Sequence, residues 1–213
     1  MQEHFKKTKS IDKYFADEFP NYSSFVIPGL RAPGQDSGRP KGGIAMLGNK
    51  QKKVNKTRIK SDLFRIQAQV RNFPGTKLLW INTYMPTDPQ TIVYDDHELR
   101  EVLNEVENIM DNAEYDDVAW MGDFNWDRQR NSGFSQVMEE FIAKIGFCDV
   151  WEKFPVNFTH IQTDYKSKST IDRILVNERL LEYIVDAGVI HLGDNPSRHS
   201  PIMMKIKNKN RNT

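Results

Sequence analysis

The residues best suited to catalysis lie in a short block that follows an apolar run. Residues 118–121 are largely apolar and lead into Gly122 and Asp123, and Asn125 follows two positions later. This pattern predicts a buried strand whose polar groups emerge at the edge of a sheet. If the chain stays extended, Asp123 and Asn125 point the same way and Phe124 turns into the core. The simpler alternative is a strand that ends in an ordinary turn.

Other polar residues lie at the ends of further predicted strands. Tyr84 follows a short strand at 78–82, Asp172 lies near the start of a strand at 170–176, and His199 opens the last strand. Each has an ordinary explanation, as a rim tyrosine, a strand-end acid and a loop histidine. Taken together with Asp123, they predict a site where an acid is available to a histidine. Glu3 adds a carboxylate that could bind a metal ion.

The hydrophobic pattern predicts the elements that position these residues. Helical spacing of apolar residues indicates a helix over 95–112 and a second one that Ser135 caps and Gly146 ends. A weaker amphipathic pattern over 5–19 predicts a short helix or loop. Strict alternation over 63–70 predicts a strand with one solvated face. The remaining strands are predicted at 22–27, 44–47, 78–82, 118–121, 170–176, 185–191 and 199–206, and this order favours an α/β fold.

The composition sets wide limits on function. The chain has 213 residues, with 30 basic and 29 acidic side chains, so net charge neither demands nor excludes a nucleic-acid partner. The single cysteine, Cys148, excludes an internal disulfide and predicts an intracellular protein. No apolar run approaches the roughly 20 residues of a membrane span. We expect one domain over 1–206, followed by a polar tail over 207–213.

A basic run over 50–60 has two interpretations. It is the solvated face of a hairpin, or it is a patch that binds phosphate groups. The sequence does not decide between them.

The order and spacing of these motifs resemble the endonuclease/exonuclease/phosphatase superfamily. The resemblance is greatest to the apurinic-type endonuclease domain of non-LTR (LINE-type) retrotransposons. The matching motifs are Gln2-Glu3-His4, Gly42-Gly43, Asn82-Thr83-Tyr84-Met85-Pro86, Gly122-Asp123-Phe124-Asn125, Phe158-Thr159, Ile171-Asp172-Arg173-Ile174 and Ser197-Arg198-His199-Ser200-Pro201-Ile202. They span nearly the full chain.

The resemblance implies a DNase I-like fold, a four-layer α/β sandwich of two mixed β-sheets flanked by helices. It also implies an enzyme that uses Mg²⁺, or alternatively Mn²⁺, to nick double-stranded target DNA. The 3′ hydroxyl left at the nick would prime a reverse transcriptase domain of the same polyprotein, with the nucleus as the site of action. We expect a monomer. The family's first strand, which carries an asparagine of the site, has no counterpart here, so the domain is expected to be incomplete at its N-terminus.

The resemblance also implies a role for each matching residue. Glu3 would bind the metal, and Asp123 would orient or deprotonate the attacking water. Asn125 would donate to the phosphate or fix that water. His199, protonated and held by Asp172, would stabilise the pentacoordinate phosphate.

Four more residues are expected to contact the substrate. Tyr84 would donate to a phosphate oxygen, Thr159 would lie at the DNA-facing rim, and Ser197 would bind substrate. Arg198 stands where the family usually has an aspartate. Because neighbouring strand residues face opposite ways, we expect Arg198 to point away from the His199–Asp172 pair and to meet a DNA phosphate.

Three other functions remain open. Residues 172–175 resemble a motif of the inositol polyphosphate 5-phosphatases, although Ser169-Thr170 stands where those enzymes carry Trp-Cys. A repair endonuclease would use similar chemistry. The substitution at Arg198 and the missing asparagine also fit an inactive remnant that only binds DNA weakly.

Overall fold

A computed structural model describes residues 11–29, 43–52, 54–93, 95–162, 166–191 and 197–207. In chain order its elements are α1 (Ile11–Glu18), β1 (Tyr22–Ile27), β2 (Ile44–Asn49), β3 (Asn55–Ile59), β4 (Ile66–Phe73), β5 (Thr76–Tyr84), α2 (His97–Asn112), β6 (Asp117–Asp123), α3 (Gly133–Ile145), β7 (Phe147–Asp149), α4 (Val150–Lys153), β8 (His160–Ile161), β9 (Lys168–Ser169), β10 (Asp172–Asn177), α5 (Glu178–Tyr183), β11 (Ile184–Val189) and β12 (Ile202–Ile206).

A mixed six-stranded sheet forms the centre, in the order β3-β4-β5-β6-β10-β7. Strands β5 and β6 are parallel, and the other neighbours are antiparallel. The parallel pair needs a crossover connection, which α2 supplies. The ends of β5 and β6 therefore meet the start of β10 at one edge of the sheet.

The two long helices cover one face of this sheet. Ile81 and Trp120 from the strands are buried there with Leu103 of α2 and Met138 of α3. The Trp120 indole also donates to the Thr83 hydroxyl at 2.8 Å, so its one polar group is satisfied inside the core.

Two antiparallel strand pairs cover the opposite face. The β1–β2 pair contacts β4 and β5, and α1 packs on its outer side through Phe15, which is buried with Ala45. The β11–β12 pair packs on the same face through Met204, together with Trp80 and Met121. The layers are thus helices, central sheet, strand pairs and α1, which confirms the predicted α/β sandwich.

The prediction of a solvated face on the strand at 63–70 is wrong. Gln67 is 0% exposed and donates to the Phe25 carbonyl of β1 at 2.9 Å. Gln69 is buried as well. The β1–β2 pair covers this face, and a local alternation pattern cannot reveal a covering layer that comes from elsewhere in the chain.

The boundaries of α2 and α3 agree closely with the sequence, apart from one cap, whereas the short helices α4 and α5 were not predicted. Ser132 rather than Ser135 caps α3, since its hydroxyl accepts from the Ser135 backbone N–H at 3.1 Å. Gly146 ends the helix with a φ of 67°, as expected for a left-handed C-terminal glycine. Within the part of the chain that the structure describes, no helix has the length and hydrophobicity needed to cross a membrane.

Candidate active site

Three neighbouring strands bring Tyr84, Asp123 and Asp172 into one row. Tyr84 is the partner of Asp123 in the parallel β5–β6 ladder, and Asp123 is the partner of Asp172 in the antiparallel β6–β10 ladder. Both carboxylates are buried, with Asp123 4% and Asp172 8% exposed. Directly opposed like charges are unfavourable, so this edge needs a cationic group or a proton to compensate them.

His199 lies between the two carboxylates. Its Nδ1 is 3.0 Å from Asp172 Oδ2, and its Nε2 is 3.9 Å from Asp123 Oδ2. A carboxylate accepts hydrogen bonds, so the contact with Asp172 places a proton on Nδ1 and leaves Nε2 facing Asp123. The His199 side chain is 31% exposed, so part of the imidazole lies at the surface.

Thr159 holds the backbone at Asp172. The Thr159 hydroxyl accepts from the backbone N–H groups of Ile171 at 3.1 Å and Asp172 at 3.0 Å. The Trp151 indole donates to the Asp172 carbonyl at 3.0 Å. Because Thr159 is 0% exposed, it does not lie at the DNA-facing rim expected for it. It supports the aspartate that meets His199 instead.

Asn125 adopts a turn rather than the extended conformation that the spacing suggested. Its φ is 49°, in the left-handed region that asparagine tolerates. Its backbone N–H donates to Asp123 Oδ1 at 2.9 Å, and its side-chain Nδ2 donates to the Met85 carbonyl at 3.0 Å. The hydrogen bond from the Asn125 N–H to the Asp123 carboxylate thus closes a turn. Phe124 is fully buried in the core, as predicted.

Tyr84 is half-buried at the end of β5, beside a cation that sequence reasoning missed. The Arg65 guanidinium lies 5.3 Å from the centre of the Tyr84 ring and also donates to the Tyr84 carbonyl at 3.3 Å. Arg65 forms an ion pair with Glu98 at 2.7 Å. It therefore fixes the strand end that presents the tyrosine.

Ser197 and Arg198 shape the approach to His199. The Ser197 hydroxyl accepts from the His199 backbone N–H at 3.1 Å, in a local turn. The Arg198 carbonyl accepts from Ile161 N–H at 3.0 Å, and the Arg198 residue is exposed. Contact of either side chain with DNA stays a prediction.

A buried ion pair supports the loop that carries Asn125. Arg173 pairs with Asp149 and donates through Nε to the Trp126 carbonyl at 3.2 Å. Burial lowers the pKa of Arg173, and Asp149 opposes that shift. The sequence places Arg173 in a motif but does not predict this ion pair, because the partner carboxylate lies 24 positions away.

The same edge offers ligands for a hard divalent cation. Ligand atoms of Asp123, Asp172 and His199 all lie within 4.8 Å of one another. Carboxylate oxygens suit Mg²⁺ and Mn²⁺, although Asp172 is already engaged by His199. Glu3, the predicted metal ligand, lies outside the described residues. The described donors therefore offer a metal ion two carboxylates and one imidazole.

Comparison with known proteins identifies the fold. No protein-family profile matches the sequence, and no curated protein does either. Solved structures do match. AP endonuclease LMAP from Leishmania major is 17% identical with a TM-score of 0.72, over 97% of this chain and 77% of that chain. The endonuclease domain of TRAS1, a telomere-specific non-LTR retrotransposon, is 13% identical with a TM-score of 0.61, over 89% and 80%.

A third similar structure is the 3′ phosphatase NExo from Neisseria bound to product DNA hairpin. It is 15% identical with a TM-score of 0.57, over 93% of each chain. At such low identities the similarity concerns the fold. The chain has the DNase I-like fold that these endonuclease/exonuclease/phosphatase proteins share.

Proposed function

We propose that this chain hydrolyses phosphodiester bonds of double-stranded DNA in a divalent-metal-dependent reaction and leaves a 3′ hydroxyl at the nick. The observation that carries the proposal is the arrangement of His199 between Asp123 and Asp172 at one sheet edge. This edge combines a carboxylate able to handle a water molecule with an imidazole whose Nδ1 is held by Asp172 and whose Nε2 faces Asp123. The nucleases of similar fold support the choice of substrate.

Hydrolysis of a phosphodiester needs a placed water and stabilisation of the charge that develops on phosphate. Asp123, whose Oδ1 accepts from the Asn125 backbone N–H, orients the water and takes its proton as the water oxygen bonds to phosphorus. The P–O3′ bond breaks, and the leaving 3′ oxygen gains a proton from solvent to become the 3′ hydroxyl. His199 donates from Nε2 to the phosphate, while Asp172 holds Nδ1. The Asn125 amide and the Tyr84 hydroxyl, which the resemblance assigns to the substrate, would be further donors to the phosphate.

A metal ion would be held by Asp123 together with Glu3, the ligand implied by the resemblance. When bound, Mg²⁺ would neutralise part of the negative charge on the phosphate oxygens. The chain's own residues would do everything else. The sheet edge that carries Asp123 and Asp172 would position His199 and the attacking water.

The biological role proposed here is target-site nicking for a non-LTR retrotransposon. The resemblance of the motifs and the shared fold of the TRAS1 domain support it. On this proposal the chain acts in the nucleus, beside a reverse transcriptase domain that extends the new 3′ end.

The test uses supercoiled plasmid and a 3′-phosphorylated oligonucleotide as parallel substrates, with Mg²⁺. We expect open circles whose nicks a DNA polymerase extends without prior treatment, and little release of inorganic phosphate from the oligonucleotide. Phosphate release without nicking would replace the endonuclease by a phosphatase of the same fold. Binding of DNA with neither reaction would identify a non-catalytic remnant.

A further inference from the structure

His160 is a second imidazole at the site, and the mechanism above gives it no role. His160 and His199 are directly opposed residues of an antiparallel bridge. The flanking hydrogen bonds run from Ile161 N–H to the Arg198 carbonyl at 3.0 Å and from Ser200 N–H to the Thr159 carbonyl at 2.7 Å. Because these hydrogen bonds join the neighbouring residues and not the two histidines themselves, His160 and His199 form a non-hydrogen-bonded pair. In such a pair the opposed side chains come closest.

The two rings are in contact. Their centroids are 4.5 Å apart, and their planes are inclined at 48°. His160 Nδ1 lies 3.4 Å from the Ser169 hydroxyl of the neighbouring β9 strand, a long contact that still orients the ring. His199 is thus bounded by Asp172 at its Nδ1 edge and by His160 at its side.

His160 stays uncharged at neutral pH. Burial, the largest cause, together with the neighbouring His199, Arg198 and Arg130, lowers the pKa of His160 from 6.5 to about 4, against the opposing effect of Asp172. An uncharged aromatic ring attracts an adjacent cation, whereas a second imidazolium would repel it. A neutral His160 ring can therefore pack against His199 whether or not His199 carries a second proton.

We propose that His160 is a positioning residue whose ring packs against the His199 imidazole and fixes it at the angle that joins Nδ1 to Asp172 and directs Nε2 towards Asp123. The proposal rests on the proposed function to the extent that His199 serves hydrolysis. The ring geometry itself is independent of activity, so it can be tested separately.

Three variants test this role. His160→Phe keeps a flat ring against His199, and His160→Ala removes it. His191→Ala is the matched control, because His191 is a nearby imidazole that stacks on Phe158 at 4.4 Å and contacts the Ser200 hydroxyl at 3.0 Å. The readouts are kcat and KM for plasmid nicking, and the ¹H–¹⁵N spectrum of the His199 ring in metal-free protein.

We expect His160→Phe and His191→Ala to retain kcat and a His199 ring protonated at Nδ1 in one environment. His160→Ala should lower kcat about tenfold at unchanged KM, because small misplacements of a catalytic group are costly. Its His199 signals should broaden or shift as the ring gains freedom. If His160→Ala fails to fold, His160→Leu, which keeps volume without a flat ring, should show the same losses.

Unchanged kcat and unchanged His199 signals in His160→Ala would overturn the proposal. It would also be overturned if His160→Phe lost as much activity and ring order as His160→Ala. If the parent protein does not nick DNA at all, the proposed function fails, while the spectra still decide whether His160 orders the His199 ring.

Discussion

Asp123 and Asp172 are paired residues on adjacent antiparallel strands, so two buried carboxylates occupy the same step of the sheet edge. That pairing is unfavourable unless a proton or cation is shared. His199 meets this requirement with one ring nitrogen directed at each acid. It lies in an isolated bridge before β12 and does not open that strand as the sequence predicted. A metal ion or a charged imidazole can each compensate the two carboxylates.

The support of Asp172 by Thr159 gives the first prediction. Thr159→Val removes a hydroxyl that accepts from two buried backbone N–H groups. Leaving them unsatisfied should lower the free energy of unfolding by about 1–3 kcal/mol and reduce kcat through displacement of Asp172. Urea unfolding and plasmid nicking measure the two effects. Thr159→Ser, which keeps the hydroxyl, is the control, and equal losses in both variants would contradict the assigned hydrogen bonds.

The exposed position of Arg198 gives the second prediction. Arg198→Ala should weaken DNA binding and reduce the salt slope by about one unit, with kcat nearly unchanged, if its guanidinium meets a phosphate. Fluorescence anisotropy at several salt concentrations measures the slope. Arg198→Asp tests the alternative that the family's carboxylate is needed for catalysis. A large gain in the single-turnover rate of Arg198→Asp, at unchanged affinity for DNA, would refute the phosphate contact. It would indicate that this chain is an enzyme that has lost part of its activity.

The lowered pKa of His160 predicts a pH effect on stability. The folded pKa is about 4 against 6.5 ordinarily, so between these values the unfolded chain binds the proton more readily. The contribution of His160 is therefore fully present above pH 6.5 and is lost as the pH falls towards 4. Because the ring is half-buried, solvent screening reduces the contribution of His160 to the free energy of unfolding.

Urea unfolding of the parent and of His160→Phe at pH 7.5 and pH 4.5 measures this contribution. We expect the parent to lose more stability than His160→Phe between the two pH values, since phenylalanine binds no proton. Identical losses would show that the His160 environment does not disfavour the imidazolium.

Metal dependence is the fourth prediction. Nicking should stop in excess EDTA and return with Mg²⁺ or Mn²⁺. Glu3→Ala should raise the Mg²⁺ concentration needed for half-maximal rate without weakening DNA binding in the absence of metal. A titration of the nicking rate against Mg²⁺ measures the effect on metal binding. Fluorescence anisotropy of DNA binding in EDTA is the control for an effect on DNA affinity. An undiminished rate in EDTA would rule out a metal-dependent reaction.

The sequence predicted those parts of the site that depend on local pattern. The strand predicted from the apolar run before Asp123 is confirmed. The burial of Phe124, predicted from strand alternation, is confirmed as well. The chain at Asn125 differs from expectation because the Asp123 side chain bonds to the backbone two residues on and turns the chain.

What the sequence could not predict depends on contacts between distant segments. Gln67 looked solvated because the β1–β2 pair that covers it is remote in sequence. Thr159 looked like a rim residue, yet its hydroxyl is used by backbone groups more than ten positions away. His160 gave no signal at all, since its neighbour His199 joins it only through the antiparallel bridge.

The most direct test of the proposed chemistry is the single-turnover nicking rate of Asp123→Asn in Mg²⁺, measured beside the parent on the same plasmid. Asparagine keeps the shape of the side chain and removes the negative charge that faces Asp172, so the fold and its melting temperature should be retained or improved. We predict a loss of at least about 100-fold in rate, since the group that handles the water has gone. A correctly folded Asp123→Asn that nicks at the parent rate would place the reaction elsewhere and contradict the account.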